Sequence, residues 1–156
     1  AGIIGGLLYL SVFARVRLYS DVLLQTYFIV TSVYGWYAWT HAGPSGDATL
    51  AVTRLSVLAA AIWIVVAAAA TVVLGGLMRR YTRAALPFWD ATIAVLSLVA
   101  QYLLTGKVLE SWALWIAVDA IAIGVYLARR LRLTAALYGV LLALAVRGLV
   151  GWIHKL

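Results

Sequence analysis

The sequence predicts an all-α integral membrane bundle in which two parallel three-helix repeats are joined by a linker helix (3+1+3). Composition predicts that the chain lies in a membrane. Of the 156 residues, 66% are hydrophobic and 11% are charged, whereas soluble domains average roughly 25% charged residues. The repeat is internal, since "ARVRLYSDVLLQ" at 14–25 resembles "RRLRLTAALYGV" at 129–140, and "YGW" at 34–36 resembles "VGW" at 150–152. Membrane segments and a repeated unit together favour a helical membrane protein.

Six apolar segments follow one another along the chain. We predict helices near 1–14, 18–40, 50–80, 86–106, 109–130 and 133–154. The first is shorter than the ~20 residues that a helical span needs, and the others are long enough. None of the runs alternates as the strands of a membrane barrel do, so we predict no β-structure.

The repeat divides the chain into three parts. Residues 1–40 form a first repeat of two helices, 41–84 the linker helix and its loops, and 85–156 a second repeat of three helices. The helix near 86–106 has no counterpart in the first part, so we expect the first helix of the first repeat to be missing from this chain. Parallel repeats occur in transporters that bind their substrate at the repeat interface.

Charge indicates orientation rather than nucleic-acid binding. The formal net charge is +7, but the arginines cluster in alternate loops: Arg15, Arg17, Arg79, Arg80, Arg83, Arg129, Arg130 and Arg132. The positive-inside rule places these loops in the cytoplasm and the C-terminus outside. With no cysteine, two histidines and no catalytic motif, the sequence predicts a non-enzyme without metal or cofactor.

The helix near 109–130 carries a carboxylate among apolar residues. Trp112, Trp115 and Asp119 are spaced at i, i+3 and i+7, so they share one helical face. Ionisable residues inside a membrane are costly and are functional candidates by default. Two indoles and a carboxylate together form a cage for a flat cation, because the π faces attract the charge and the acid neutralises it.

Two other helices present polar stripes. Gln25, Ser32 and Trp36 recur at i, i+7 and i+11, and the helix near 86–106 repeats that spacing with Asp90, Ser97 and Gln101. Such stripes suit the hydroxyl and amide groups of a small polar ligand. The predicted binding residues are therefore Trp112, Trp115, Asp119, Trp36, Gln101, Asp90, Gln25 and Ser97.

Each candidate also has a structural interpretation. Asp119 could form a buried ion pair with Arg147 that only fixes helix packing, and Asp90 could complement the dipole of its helix in the first turn. The tryptophans could be belt residues at the headgroup level, an interpretation that best fits Trp39 and Trp152.

Three motifs resemble the PnuC-type nicotinamide riboside transporters. They are "VYGWYAW" at 33–39, "PFWDATIAVLSLVAQYLLTGKVLESWALW" at 87–115, and Asp119 four residues later. The signature is "FWD", a helix, a K-x-x-E-x-W turn, and two tryptophans followed by Asn or Asp. The resemblance implies a SWEET-like fold, a homotrimer in the bacterial inner membrane, and facilitated diffusion of a vitamin nucleoside for NAD biosynthesis. It also implies that Trp112, Trp115 and Asp119 bind the substrate.

The chain departs from the family pattern at one position. Family members often carry Asn where this chain has Ile4, which the repeat aligns with Asp119. Nicotinamide riboside has a fixed pyridinium charge and thiamine a thiazolium, and Asp119 suits both cations. The sequence thus predicts a nicotinamide riboside transporter, with thiamine transport or a non-transporting membrane assembly subunit as alternatives.

Overall fold

The structure is a computed structural model that describes residues 19–41, 50–82 and 85–154. Side chains of its first helix are described from residue 24 onward. The helix predicted near 1–14, with Ile4, lies outside the described residues, as do Arg15, Arg17 and Arg83.

Five α-helices make up most of the described chain. They are α1 (Tyr19–His41), α2 (Val57–Tyr81), α3 (Pro87–Thr105), α4 (Glu110–Ala128) and α5 (Arg132–Ile153). Apart from the start of α2, each begins and ends within two residues of its predicted bounds. An isolated parallel bridge between Thr53 and Val108 is the β-pairing present in the described residues. The predicted all-helical class is confirmed.

The prediction that the linker helix begins near residue 50 is wrong. α2 begins after Ser56, whose Oγ accepts the backbone N–H of Ala59 at 3.2 Å and caps the helix. Upstream, the N–H of Thr53 donates to the carbonyl of Lys107 at 3.1 Å, and its carbonyl accepts from Leu109 at 2.9 Å. Residues 50–56 are non-helical because their backbone pairs with the α3–α4 turn, a long-range contact that apolar composition does not reveal.

α3 is the central helix of the described bundle. It packs against α1, α2 and α4, while α5 packs against α4. Fully buried alanines, Ala91 and Ala100 on α3 and Ala122 on α4, allow the close helix approach that is typical of membrane bundles. Between α2 and α3, Gly75 leaves room for Phe88, whose ring would lie 2.4 Å from a β-carbon at that position.

The helices alternate in direction, which gives the bundle two distinct ends. We call one the arginine end, because it carries Arg79, Arg80, Arg129, Arg130 and Arg132. There Arg129, just after α4, pairs with Asp90 at the start of α3. At the opposite end, the tryptophan end, the indole N–H of Trp39 on α1 donates to the carbonyl of Thr105 on α3 at 3.0 Å. The arginines of the two described basic clusters thus lie at one end of the bundle, as the sequence predicts, whereas Arg54 and Arg147 lie toward the other end.

Four of the described helices, α2 to α5, are long and apolar enough to cross a membrane. α1 has 23 residues, which is long enough, but its aromatic and polar sequence leaves it outside that group. Most side chains of α2 are exposed, from Val57 to Tyr81, as suits a helix surrounded by other apolar groups. The protein is a multi-pass membrane protein.

Candidate functional site

Asp119 is a buried carboxylate with no partner in the described part of the chain. It is 3% exposed, lies nine residues from either end of α4, and takes part in no hydrogen bond or ion pair there. Arg147, the partner expected under the structural interpretation, is exposed on α5 and forms no ion pair with a described residue. Burying an unpaired carboxylate in the middle of a membrane-length helix costs free energy. A ligand that supplies a positive charge would offset part of that cost.

Trp112 packs against α5. Its six-membered ring lies against the backbone of Gly148, and its indole meets that of Trp152 edge to face, with centroids 5.4 Å apart at 87°. Its Nε1 is buried and has no hydrogen-bond acceptor among the described residues. The ring is therefore fixed by packing, while its donor is left for another group.

Trp115 turns toward α1 instead. Its ring lies 6.3 Å from that of Phe28, at a tilt of 41°. At 100° per residue, Trp112, Trp115 and Asp119 fall within about 60° of one another around α4, with Asp119 between the two indoles. One face of α4 thus carries both indoles, with the carboxylate about one turn beyond Trp115.

Among the described residues, α1 approaches this face of α4 through side chains and not through close backbone contact. No Cα atom of α1 comes within 8 Å of one in α4 or α5, so α1 and α5 stand apart on either side of the face. We call the space between them the Asp119 cleft, defined by Asp119, Trp112, Trp115 and Phe28. Its walls are aromatic and its one acid is unpaired, a combination suited to a flat cation.

Polar residues of α1 and α3 meet beside the cleft. Gln101 and Ser97 on α3 are 7% and 8% exposed, and the Gln101 Nε2 donates to the Ser32 Oγ on α1 at 3.2 Å. Gln25 lies on α1, half-buried and two turns before Ser32. The polar stripes predicted on these two helices therefore come together at Gln101 and Ser32.

Two predicted site residues lie elsewhere. The Asp90 carboxylate accepts a 2.6 Å hydrogen bond from Arg129 at the arginine end, about 16 Å along α3 from Gln101 at 1.5 Å per residue. Trp36 is 68% exposed and makes no ring contact with a described residue, contrary to the prediction that it lies near Asp119. Asp90 lies in the first turn of α3, and Trp36 lies on an exposed flank of α1.

Two residues interpreted from the sequence as belt tryptophans belong to the cluster around the cleft. Trp152 contacts Trp112, and it also contacts Trp39 with centroids 5.8 Å apart at 68°. The sequence contains an indication of the contact with Trp112. Gly148 lies four residues before Trp152, so a residue without a side chain and an aromatic ring share one face of α5. Both rings are half-buried and contact another ring.

The K-x-x-E-x-W turn is explained by its contacts with residues 50–56, which we call the strap. The Lys107 Nζ donates to the carbonyl of Leu50 at 2.6 Å, and the Glu110 Oε2 accepts from the N–H of Leu55 at 3.1 Å. Two charged side chains thus fasten the strap to the turn that begins α4, and α4 carries Trp112 and Asp119.

Membrane-length helices around a buried, unpaired carboxylate with aromatic walls define a multi-pass protein of the small-molecule transporter class. Residues 1–154 match the family described as Nicotinamide mononucleotide transporter. The chain belongs to that family.

Individual relatives agree with this assignment. The chain is 28% identical over 178 aligned positions to the Nicotinamide riboside transporter PnuC of Escherichia coli, covering 99% of this chain and 74% of the relative. It is 26% identical to the Riboflavin/roseoflavin transporter RibM of Streptomyces davaonensis, over 82% of this chain and 61% of RibM. The fold is similar to a crystal structure of the vitamin B3 transporter PnuC, with a TM-score of 0.68 and 24% identity, over 99% of this chain and 70% of that one.

Proposed function

We propose that the protein carries nicotinamide riboside across the membrane by facilitated diffusion, for use in NAD biosynthesis. Family membership supports the transporter class, and the E. coli relative is named for this substrate. The observation in this chain that carries the proposal is the buried carboxylate of Asp119, unpaired in the described residues and on the same helix face as Trp112 and Trp115. A cation would neutralise such a group, and the substrate supplies one.

The pyridinium ring of nicotinamide riboside is flat and permanently positive. Held between the two indoles, it gains cation–π attraction and a Coulombic contact with Asp119. At ~4 Å and an effective dielectric constant of ~20, that contact amounts to about 4 kcal/mol before desolvation is subtracted. A net contribution of about 1–2 kcal/mol, or roughly tenfold in affinity, is consistent with a partly wet cleft.

The ribose and the carboxamide need hydrogen-bonding partners. Gln101 offers both a donor and an acceptor, and Ser97 lies one turn along the same helix. Gln25 on α1 supplies a second amide toward the arginine end. In this arrangement the pyridinium binds Asp119, Trp112 and Trp115, while the polar groups face α3 and α1.

A second candidate substrate is thiamine, because its thiazolium would meet Asp119 equally well. Riboflavin, for which the relative RibM is named, carries no fixed positive charge and gains nothing from the carboxylate. A non-transporting assembly subunit is the third alternative, and it leaves the unpaired Asp119 unexplained. Binding of a positively charged ligand would therefore distinguish a transporter of nicotinamide riboside or thiamine from a riboflavin transporter and from an assembly subunit.

The wider architecture is part of the same proposal. In it, α3, α4 and α5 form the second three-helix repeat, α2 is the linker helix, and α1 closes a first repeat, as in a SWEET-like 3+1+3 fold. Three copies assemble as a homotrimer in a bacterial inner membrane, with the arginine end in the cytoplasm. Support comes from the sequence repeat, the family resemblance and the gathering of Arg79, Arg80, Arg129, Arg130 and Arg132 at one end.

Binding and uptake by the purified protein test the proposal. Calorimetric titration should give competable binding of nicotinamide riboside, and proteoliposomes should accumulate the radiolabelled compound only to its external concentration. Thiamine and riboflavin serve as competitors. Stronger competition by thiamine than by nicotinamide riboside would favour the second candidate, and absence of binding by all three would overturn transport of this class.

A further inference from the structure

One aromatic contact joins two helices that otherwise stand apart. Within the described residues α1 packs only on α3, and α5 packs only on α4. Trp39 of α1 and Trp152 of α5 nevertheless meet edge to face, with centroids 5.8 Å apart. An edge-to-face pair is a modest interaction, so α1 and α5 can separate here without disturbing either packed pair of helices.

This contact lies across one end of the Asp119 cleft. Trp152 also meets Trp112, so the three indoles form a continuous row from α1 through α5 to α4. Trp112 precedes Asp119 by seven residues, which places the row about 10 Å nearer the tryptophan end. Among the described residues, the contact between Trp39 and Trp152 therefore lies between that end and Asp119.

Lys107 fixes the position of Trp39. Its ammonium lies 5.3 Å from the centroid of the Trp39 ring and donates to the strap carbonyl of Leu50 at 2.6 Å. The indole N–H of Trp39 donates to the carbonyl of Thr105, two residues before Lys107. Lys107 has a φ of 54°, uncommon for a residue with a side chain, so a specific turn delivers the charge to this place.

We propose that Trp39 and Trp152 form the gate of the Asp119 cleft at the tryptophan end, and that Lys107 is a positioning residue that holds Trp39 in the closed arrangement. A transporter must close its site on one side while it opens on the other. Parting the two indoles opens this side, since the backbones of α1 and α5 already stand apart. The identity of the cargo rests on the proposed function, whereas the gate does not.

Thiol labelling tests the gate directly, because the natural sequence has no cysteine. The Asp119→Cys variant places one thiol at the floor of the cleft, and its rate of modification by a bulky, charged maleimide is measured on purified protein. In this background Trp39→Ala, Trp152→Ala and Lys107→Met should each raise the rate, roughly threefold to tenfold for the loss of one aromatic contact. Methionine keeps the length of lysine and removes its charge.

Two controls make the result decisive. Trp89→Ala removes an exposed tryptophan at the arginine end and should leave the rate unchanged. An Ala91→Cys reporter, fully buried at that end, should stay unlabelled in every gate variant. Unchanged labelling of Asp119→Cys in the Trp39 and Trp152 variants would overturn the gate, as would an equal rise at Ala91→Cys.

The labelling experiment uses no vitamin, so it separates the two proposals. If nicotinamide riboside does not bind the parent protein but the gate variants label faster, the proposed substrate is wrong and the gate stands. If the vitamin binds and labelling does not change, the gate alone is wrong. A Lys107→Met variant that labels like the parent would remove the positioning role from Lys107.

Discussion

The indole of Trp112 rests directly on the backbone of Gly148. A β-carbon at Gly148 would lie 2.5, 2.5 and 2.6 Å from three atoms of the six-membered ring, closer than packed carbon atoms approach. This ring lines the Asp119 cleft. The lack of a side chain at Gly148 on α5 therefore determines where the ring of Trp112, a predicted binding residue on α4, is placed.

Gly148→Ala should therefore weaken nicotinamide riboside binding. The added methyl group pushes the ring of Trp112 aside, and overpacking of this kind costs about 1–3 kcal/mol, part of which appears as a roughly tenfold loss of affinity. Gly151→Ala is the matched control, since a β-carbon at Gly151 would meet nothing within 4 Å. Calorimetric titration of both variants measures the difference, and similar affinities would contradict the placement of Trp112 in the site.

The ion pair between Asp90 and Arg129 should contribute to stability and not to binding. Both side chains keep part of their exposure, 22% and 28%, so Asp90→Asn should lower the free energy of unfolding by about 1 kcal/mol. The affinity for nicotinamide riboside should not change, because the pair lies at the arginine end.

A double-mutant cycle with Arg129→Gln checks this assignment. Each single variant should lower the melting temperature, and the double variant should be little worse than either one. A tenfold loss of affinity in Asp90→Asn with an unchanged melting temperature would restore Asp90 to the binding site.

Gln101 should bind the ligand in addition to joining α3 to α1. Its hydrogen bond to Ser32 is an interhelical contact of the kind worth about 0.6–2 kcal/mol in membranes. Ser32→Ala removes that contact but keeps the amide, whereas Gln101→Ala removes both. We expect a several-fold larger loss of affinity in Gln101→Ala than in Ser32→Ala, measured by competition binding. Equal losses would assign Gln101 to packing alone.

Most helix bounds follow from local chemistry. Pro87 and Gly106 bracket α3, and the basic pair after residue 128 ends α4, so composition and turn residues place these ends closely. The start of α2 was mispredicted because "LAVTRLS" is apolar enough to extend the helix, while its backbone pairs with residues more than fifty positions away. Pairing at such a distance has no local signature.

The sequence predicts which residues share a face of α4 with Asp119, but it does not predict which side chains of the other helices approach that face. The spacing of Trp112, Trp115 and Asp119 follows from helical periodicity. Which tryptophans approach them depends on the packing partner of each helix: Trp36 and Trp39 are three residues apart on α1, yet only Trp39 meets a ring of α5. A polar stripe indicates which face of a helix is buried, but it does not indicate which helix packs against that face.

The Asp119→Asn substitution tests the central claim most directly, since it removes the negative charge while preserving the shape of the side chain. Calorimetry on the purified protein and on the variant would use two ligands, nicotinamide riboside and its neutral reduced form. If Asp119 neutralises the pyridinium, the variant should bind the cation roughly tenfold more weakly, a loss of about 1–2 kcal/mol, and the neutral form with little change. Equal losses for the two ligands would contradict the account and leave Asp119 as a hydrogen-bond acceptor or a packing residue.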